Sequence, residues 1–255
     1  MATTTTTNAI PTKNTVTEDD CFKDFRKYVT GEDRALDKFY KDDESLKGHT
    51  RRAKTMVEGL FELGCKKEIA LQLSRLILYD LVMLIDDSSS MLFEQNGTRI
   101  ETLAGTMQEI TAIYDLANPK GIRAVKFFNA NQGLMDVKNK NWRSHFDTIK
   151  YDGVTRIGIA LKTKILEHFV WKTVMTKPLL VMIITDGDAE GEPKGMLEDV
   201  IRECVARLHA DADRGRGAVS FHFSRVGNDV PAERLLTRLD NDEEFGANVD
   251  CLGGI

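Results

Sequence analysis

From residue 80 onward, short apolar runs alternate with segments that have the periodicity of amphipathic helices. The runs are 81–85 (LVMLI), 124–128 (AVKFF), 179–184 (LLVMII), 218–223 (AVSFHF) and 249–252 (VDCL). An uninterrupted apolar run such as the first indicates a strand that is buried on both faces, as in parallel sheets. Alternation of such strands with helices predicts an α/β fold, a Rossmann-like three-layer sandwich whose mostly parallel central sheet carries helices on both faces. The segment 133–137 (GLMDV) lies outside the alternation and is a candidate edge strand.

The chain before residue 79 has a different pattern. Within residues 18–78, apolar side chains such as Phe22, Phe25 and Val29 recur at helical spacing, which predicts an N-terminal helical extension. Residues 1–17 are rich in threonine and poor in apolar side chains, so burial cannot offset the entropy of ordering them. We therefore expect a disordered tail over 1–17, a helical segment over 18–78 and an α/β domain over 79–255.

Composition excludes several classes of protein. The net charge of −5 favours neither nucleic acid nor an anionic membrane as a partner. No apolar run approaches the ~18 residues of a spanning helix, and the N-terminus lacks the basic start and apolar centre of a signal peptide. The four cysteines are widely spaced, with no CxxC pair, which is typical of reduced core residues. We therefore expect an intracellular, cytoplasmic protein.

Oxygen-bearing side chains follow two of the predicted strands. Asp86, Ser88 and Ser90 come directly after the strand at 81–85, and residues two apart in an extended chain point the same way. Asp186 follows the strand at 179–184, and Thr155 lies in a loop just before a predicted helix. Open parallel sheets bind ligands beyond the carboxyl ends of their strands, so these side chains are expected at one edge. Oxygen-only donors favour Mg²⁺, Mn²⁺ or Ca²⁺ over zinc or copper.

Each of these segments, taken alone, has a structural explanation. Serine and aspartate after a strand often cap a helix or form a turn. The intervening residues Asp87 and Ser89 are expected to point away from the site and to stabilise the turn. An EF-hand does not fit the DGD segment, because its twelfth position is Leu197. The combination of three segments, each in its expected place, favours a metal site.

The motif DDSSSM resembles that of von Willebrand factor A domains with a metal-ion-dependent adhesion site, or MIDAS. The signature D-x-S-x-S is present at 86–90, the threonine loop at 153–155 and the second aspartate at 185–187. The resemblance covers about 79–255 and implies a sheet with one antiparallel edge strand. It implies that Asp86, Ser88, Ser90, Thr155 and Asp186 hold a divalent cation, most simply Mg²⁺, with Mn²⁺ or Ca²⁺ as alternatives. It also implies a protein partner whose Asp or Glu completes the coordination shell.

Two departures from the family pattern stand out. Val154 replaces a residue that is often glycine, which stiffens the threonine loop but leaves the hydroxyl available. The sequence ends at CLGGI after the last predicted strand, where the family usually adds a closing helix. We expect the N-terminal helices to cover the sheet face that this helix would occupy.

The sequence therefore predicts a metal-dependent protein-binding module rather than an enzyme, and it leaves the oligomeric state open. One alternative is a magnesium-dependent hydrolase or phosphotransferase on a similar sheet, for which Asp87 or Asp188 would have to act as the base. Another is a scaffold domain with a vestigial metal site.

Overall fold

The computed structural model of the chain describes residues 15–31, 36–93, 97–187 and 189–252. Most of the predicted disordered tail, residues 1–17, lies outside these ranges. Its last residues are described: Val16 is buried, and Thr17 caps the first helix. The Thr17 side chain accepts a hydrogen bond from the Asp20 backbone N–H, and the Asp20 carboxylate accepts one from the Thr17 N–H, which forms a capping box.

The N-terminal segment is helical, as its apolar spacing predicted. Its helices are α1 (Glu18–Val29), α2 (Asp43–Glu62) and α3 (Lys67–Ser74), and a 3-10 turn at Arg75–Leu78 leads into the sheet. Gly64 follows the end of α2 with φ +85°, a conformation that glycine adopts without strain. Uniform helical spacing would place Ile69, Leu73, Leu76 and Ile77 on one face. The α-helix ends at Ser74 and the 3-10 turn winds more tightly, and Ile69 is half exposed whereas Ile77 is buried.

The rest of the chain forms a six-stranded sheet with helices on both faces. The strands are β1 (Asp80–Ile85), β2 (Ile122–Phe127), β3 (Leu134–Val137), β4 (Leu179–Thr185), β5 (Val219–Arg225) and β6 (Val249–Leu252). The helices are α4 (Ser90–Phe93), α5 (Thr98–Ala117), α6 (Trp142–Phe146), α7 (Ile157–Ala160), which continues as a π-helix over Leu161–Trp171, α8 (Met196–His209) and α9 (Val230–Asp240).

The strand order is β3-β2-β1-β4-β5-β6. All neighbouring pairs are parallel except β2 and β3, which are antiparallel. The predicted fold class is confirmed, including the antiparallel edge strand, which is the GLMDV segment. Chain order reverses between β1 and β4, so the topological switch point of the sheet lies between these two strands.

The sheet separates two buried cores. Leu81, Met83 and Ile85 face the core that contains α2, α5 and α6, whereas Val82 and Leu84 face the one that contains the long helix from 157 to 171, α8 and α9. The alternate residues of one strand thus serve both cores, which explains why β1 is apolar throughout.

The N-terminal helices α1 and α2 belong to the same core as the first face of β1. Their cover does not extend over the whole sheet. Between α3 and the strands β5 and β6 lies a groove of about 450 Å³, and Ser220, His222 and Asp250 form its sheet wall. Across the described residues, no helix is both long enough and apolar enough to span a membrane.

Candidate metal centre

The two aspartates that the sequence singled out lie side by side at the switch point of the sheet. Asp86 follows β1 and Asp186 follows β4, and the parallel register pairs Ile85 with Ile184 just before them. The Asp86 backbone N–H donates to the Ile184 carbonyl at 2.9 Å, which extends the ladder up to the site. Both aspartates are fully buried. The fold therefore delivers two carboxylates to the crevice where open α/β sheets bind ligands.

The serines of the motif connect these carboxylates. The Ser88 backbone N–H donates to Asp86 Oδ1 at 2.9 Å. The Ser88 and Ser90 hydroxyl oxygens are 2.9 Å apart, and the Ser90 hydroxyl donates to Asp186 Oδ1, also at 2.9 Å. Four of the predicted ligand residues thus form one continuous hydrogen-bonded chain.

Thr155, the remaining predicted ligand residue, lies next to the loop that follows β4. Its hydroxyl oxygen is 3.9 Å from the position that a Cβ atom on Gly187 would take, and its carbonyl accepts a hydrogen bond from the Glu190 N–H at 2.9 Å. The side chain is almost fully buried. The loop that carries Thr155 also contacts the serine motif, because the Ser89 N–H donates to the Gly153 carbonyl at 3.3 Å. Thr155 therefore borders the chain formed by the other four residues.

Gly153 allows the loop that carries Thr155 to pack closely against Asn129 at the end of β2. Its φ of +101° lies in the region that favours glycine, and a Cβ atom there would stand 2.5 Å from Asn129 Oδ1. Any larger residue would push this loop away from the end of β2.

The intervening aspartate has a separate set of partners. Asp87 Oδ1 accepts from the Asn129 backbone N–H at 2.8 Å and from its side-chain amide at 3.0 Å, while Oδ2 accepts from the Ala130 N–H at 2.8 Å. Asp87 thus fixes the end of β2 against the serine motif. Ser89, the other intervening residue, donates its hydroxyl to the Gly153 carbonyl at 3.3 Å.

Sequence reasoning missed two residues at the centre. The Thr185 hydroxyl donates to Asp86 Oδ2 at 2.8 Å, and both groups are buried. Arg99, in the first turn of α5, donates from Nη1 to Asp186 Oδ2 at 2.6 Å. Thr185 directly precedes Asp186, so its position near the two aspartates could have been predicted from the sequence. Nothing in the sequence around Arg99 signals that its side chain turns into the sheet edge.

Burial dominates the electrostatics of the centre. Loss of solvent raises the pKa of Asp86, and the neighbouring charge of Asp186 raises it further, while hydrogen bonds from Ser88 and Thr185 act in the opposite direction. Two carboxylates in a buried crevice repel each other unless a cation or a proton compensates them. Arg99 supplies one positive charge at this point.

The donor set fits a hard divalent cation in its chemistry. The five predicted residues offer carboxylate and hydroxyl oxygens, the ligands that Mg²⁺, Mn²⁺ and Ca²⁺ prefer. Among the described residues, His, Cys, Asp and Glu alone nowhere form a group of three or more that could hold a metal. Within the described part of the chain, a metal at this edge would therefore need the hydroxyls of the serines and the threonine in addition to the two aspartates.

The hydrolase alternative requires Asp87 or Asp188 to act as a general base. Both carboxylate oxygens of Asp87 accept N–H groups, and Asp188, the other candidate base, lies outside the described residues.

A serine, a histidine and an aspartate are hydrogen-bonded in sequence on β5 and β6: Ser224 Oγ is 3.3 Å from His222 Nε2, and His222 Nδ1 is 3.1 Å from Asp250 Oδ2. Ser224 lies within a strand that is paired on both sides, so its backbone N–H belongs to the sheet ladder rather than to an oxyanion hole.

No protein-family model and no curated protein sequence matches this chain. Solved structures do resemble it. Proximal thread matrix protein 1 from the mussel byssus, in its second crystal form, matches with a TM-score of 0.49 and 16% identity over 69% of this chain and 44% of its own. A von Willebrand factor type A protein from Catenulispora acidiphila matches with a TM-score of 0.44 and 17% identity over 68% of this chain and 38% of its own.

The mussel protein with a zinc-occupied MIDAS motif matches with a TM-score of 0.44 and 20% identity. That match covers 68% of this chain and 41% of the mussel protein, so the chain spans less than half the length of each of these structures. In its own strand order, its single antiparallel edge strand and its two helical layers, the chain has the α/β fold that the resemblance to von Willebrand factor A domains implied.

Proposed function

We propose that this protein is a protein-binding module whose binding depends on a divalent cation held at the switch point of the sheet. The observation that carries the proposal is the convergence of Asp86, Ser88, Ser90 and Asp186, which a single hydrogen-bonded chain connects, with Thr155 beside them. A structural role for these residues would not require two fully buried carboxylates in contact with two hydroxyls.

The roles of the ligand residues follow from their charges. The two aspartates neutralise a divalent ion, while the hydroxyls of Ser88, Ser90 and Thr155 add oxygen donors without adding charge. Magnesium prefers six oxygens and keeps several waters, so the protein donors leave room for an oxygen from outside. A partner's Asp or Glu side chain is the ligand that suits such a position. Magnesium is the first candidate ion, with manganese and calcium as the alternatives.

Apolar side chains close to the site support a protein as the partner. Leu92 and Phe93, which follow the serine motif, are 44% and 76% exposed, and Val154 in the threonine loop is 37% exposed. Each lies within three residues of a proposed ligand. Exposed apolar residues of this kind suit a docking surface around a charged contact.

The first experiment is a thermal denaturation with increasing Mg²⁺ or Mn²⁺. A ligand at a hundredfold excess over Kd stabilises the native state by about 2.7 kcal/mol, which corresponds to a rise of roughly 5–10 °C in Tm for a chain of this size. The wild type and Ser89→Ala should both show this rise, because Ser89 is not a proposed ligand. Asp86→Asn should show almost none. Equal rises in all three proteins, or none in the wild type, would contradict the metal site.

The second experiment addresses the partner. Proteins captured on the immobilised wild type with Mg²⁺ should be released by chelator. Thr155→Ala removes a neutral ligand of the ion that holds the partner's carboxylate. Loss of that charge-assisted contact, worth about 1.5–3 kcal/mol, should weaken binding about ten- to a hundredfold. Capture that ignores both the chelator and the substitution would leave the metal a structural ion and would favour a scaffold domain.

A further inference from the structure

The cation that the structure itself places at the centre is Arg99. Its side chain is 5% exposed and the carboxylate of its partner Asp186 is fully buried, with 2.6 Å between Nη1 and Oδ2. Arginine is almost never buried to this degree unless it is paired. Among the described residues, the ion pairs of other arginines are more exposed, as in the pair of Arg75 with Asp24, whose side chains are 28% and 17% exposed.

Arg99 uses the same carboxylate that the proposed metal needs. Asp186 Oδ1 accepts from Ser90 and Oδ2 accepts from Arg99, so both carboxylate oxygens are already hydrogen-bonded. Asp86 and Asp186 bring two acidic groups to the centre, and Arg99 is the cation that pairs with one of them. A guanidinium and a divalent ion that share one buried carboxylate repel each other strongly, because the surroundings screen them weakly.

We infer that Arg99 is a built-in competitor of the metal: it holds Asp186 until a divalent cation takes the carboxylate over, and it thereby sets the metal affinity of the site. This inference rests on the proposed metal site. Binding of the ion is then coupled to withdrawal of the Arg99 side chain, and with it to the first turn of α5, which begins directly after Gly97 with φ +79°.

The position of Arg99 explains why this coupling is local. The residue lies at the start of α5, whereas the later part of the helix is fixed in the core through Leu103, Met107 and Tyr114. A change of rotamer at the first turn releases Asp186 without repacking those residues. Arg99 is therefore a residue that positions and tunes a metal ligand and is not itself a ligand.

The test is a calorimetric titration of Mg²⁺ and Mn²⁺ into the wild type, Arg99→Met and Arg99→Lys, with Arg75→Met as a matched control. Arg75→Met also removes the cation of an aspartate pair, but far from the site, so it should lower stability and leave the metal affinity unchanged. Arg99→Met should bind the ions at least tenfold more tightly than the wild type, and Arg99→Lys, which keeps the charge, should stay close to the wild type.

The outcomes separate this inference from the proposed function. If the wild type binds the ions and Arg99→Met binds them equally or more weakly, the competition is refuted and the metal site stands. If neither protein binds a divalent ion, both proposals fail. Binding that appears only in Arg99→Met supports the competition directly.

A measurement on the wild type covers the case in which Arg99→Met does not fold. The side-chain Nε–Hε resonance of Arg99 in ¹⁵N-labelled protein, assigned by its absence in Arg99→Lys, should shift and lose its protection from exchange as Mg²⁺ saturates the site. An Arg99 resonance that stays unchanged at saturation would overturn the inference.

Discussion

Replacing Asp87 with alanine should destabilise the protein and leave its metal binding in place. Asp87 stands inside the DDSSS motif, between the proposed ligands Asp86 and Ser88, yet its carboxylate accepts three N–H groups from Asn129 and Ala130 at 2.8–3.0 Å. These contacts fasten the end of β2 to the end of β1. The residue is 1% exposed, so solvent cannot replace the carboxylate when it is removed.

The magnitude follows from these contacts. Hydrogen bonds to a charged group contribute about 1.5–3 kcal/mol each, and a buried donor left without a partner costs about 1–3 kcal/mol. The three contacts share one carboxylate and are not additive, so we expect a loss of about 3–5 kcal/mol in the free energy of unfolding. For a chain of this size, 1 kcal/mol corresponds to about 2–4 °C, which places the fall in Tm near 10 °C.

The assay is urea denaturation for stability, combined with the shift of Tm by Mg²⁺ for metal binding. Asp87→Asn is the informative control, because it keeps one oxygen acceptor but turns an amide donor toward an N–H group, so its stability should lie below the wild type as well. Ser89→Ala, two residues further on, should lose less than about 1 kcal/mol, since it removes one long hydrogen bond. An Asp87→Ala protein with wild-type stability, or a well-folded one that no longer responds to Mg²⁺, would refute this account of the residue.

Three further predictions concern the surroundings of the centre. Lys164 Nζ donates to the carbonyls of Phe127, Phe128 and Ala130 at 2.8–2.9 Å, and burial lowers its pKa, so Lys164→Met should lose about 2–4 kcal/mol in urea denaturation by leaving these acceptors unpaired. Thr185→Val removes the hydrogen bond that orients Asp86 and should weaken Mg²⁺ binding about 10–100-fold in a calorimetric titration. The purified protein should hydrolyse neither phosphoesters nor nucleotides with Mg²⁺; turnover that survives repurification and disappears in an Asp186→Ala protein would favour the hydrolase alternative.

The architecture could be predicted from the sequence because a strand that is buried on both faces is an uninterrupted apolar run. A strand such as β1 must be apolar at every position to serve two cores, and the run at 81–85 shows this without any knowledge of its neighbours. The helices of the N-terminal segment could likewise be predicted from the spacing of their apolar residues. The expected common face of Ile69 and Ile77 was wrong, because the α-helix ends at Ser74 and a 3-10 turn separates the two residues.

The candidate ligands were also predictable, because a short-range rule places them. Asp86, Ser88 and Ser90 are two residues apart along one segment, and the carboxyl ends of neighbouring parallel strands bring Asp186 to the same edge. These statements need only the strand assignment and the direction of the chain.

The sequence by itself thus determined the layers of the fold and the oxygen donors at its edge, since both follow from local periodicity. Only the tertiary structure decided what surrounds these donors. The Asn129 and Ala130 N–H groups reach Asp87 because β2 lies beside β1, and Arg99 reaches Asp186 because the fold brings the first turn of α5 within side-chain reach of the residue that follows β4. Such contacts join residues 42 to 87 positions apart, and their geometry depends on how helices and strands pack rather than on any pattern along the chain.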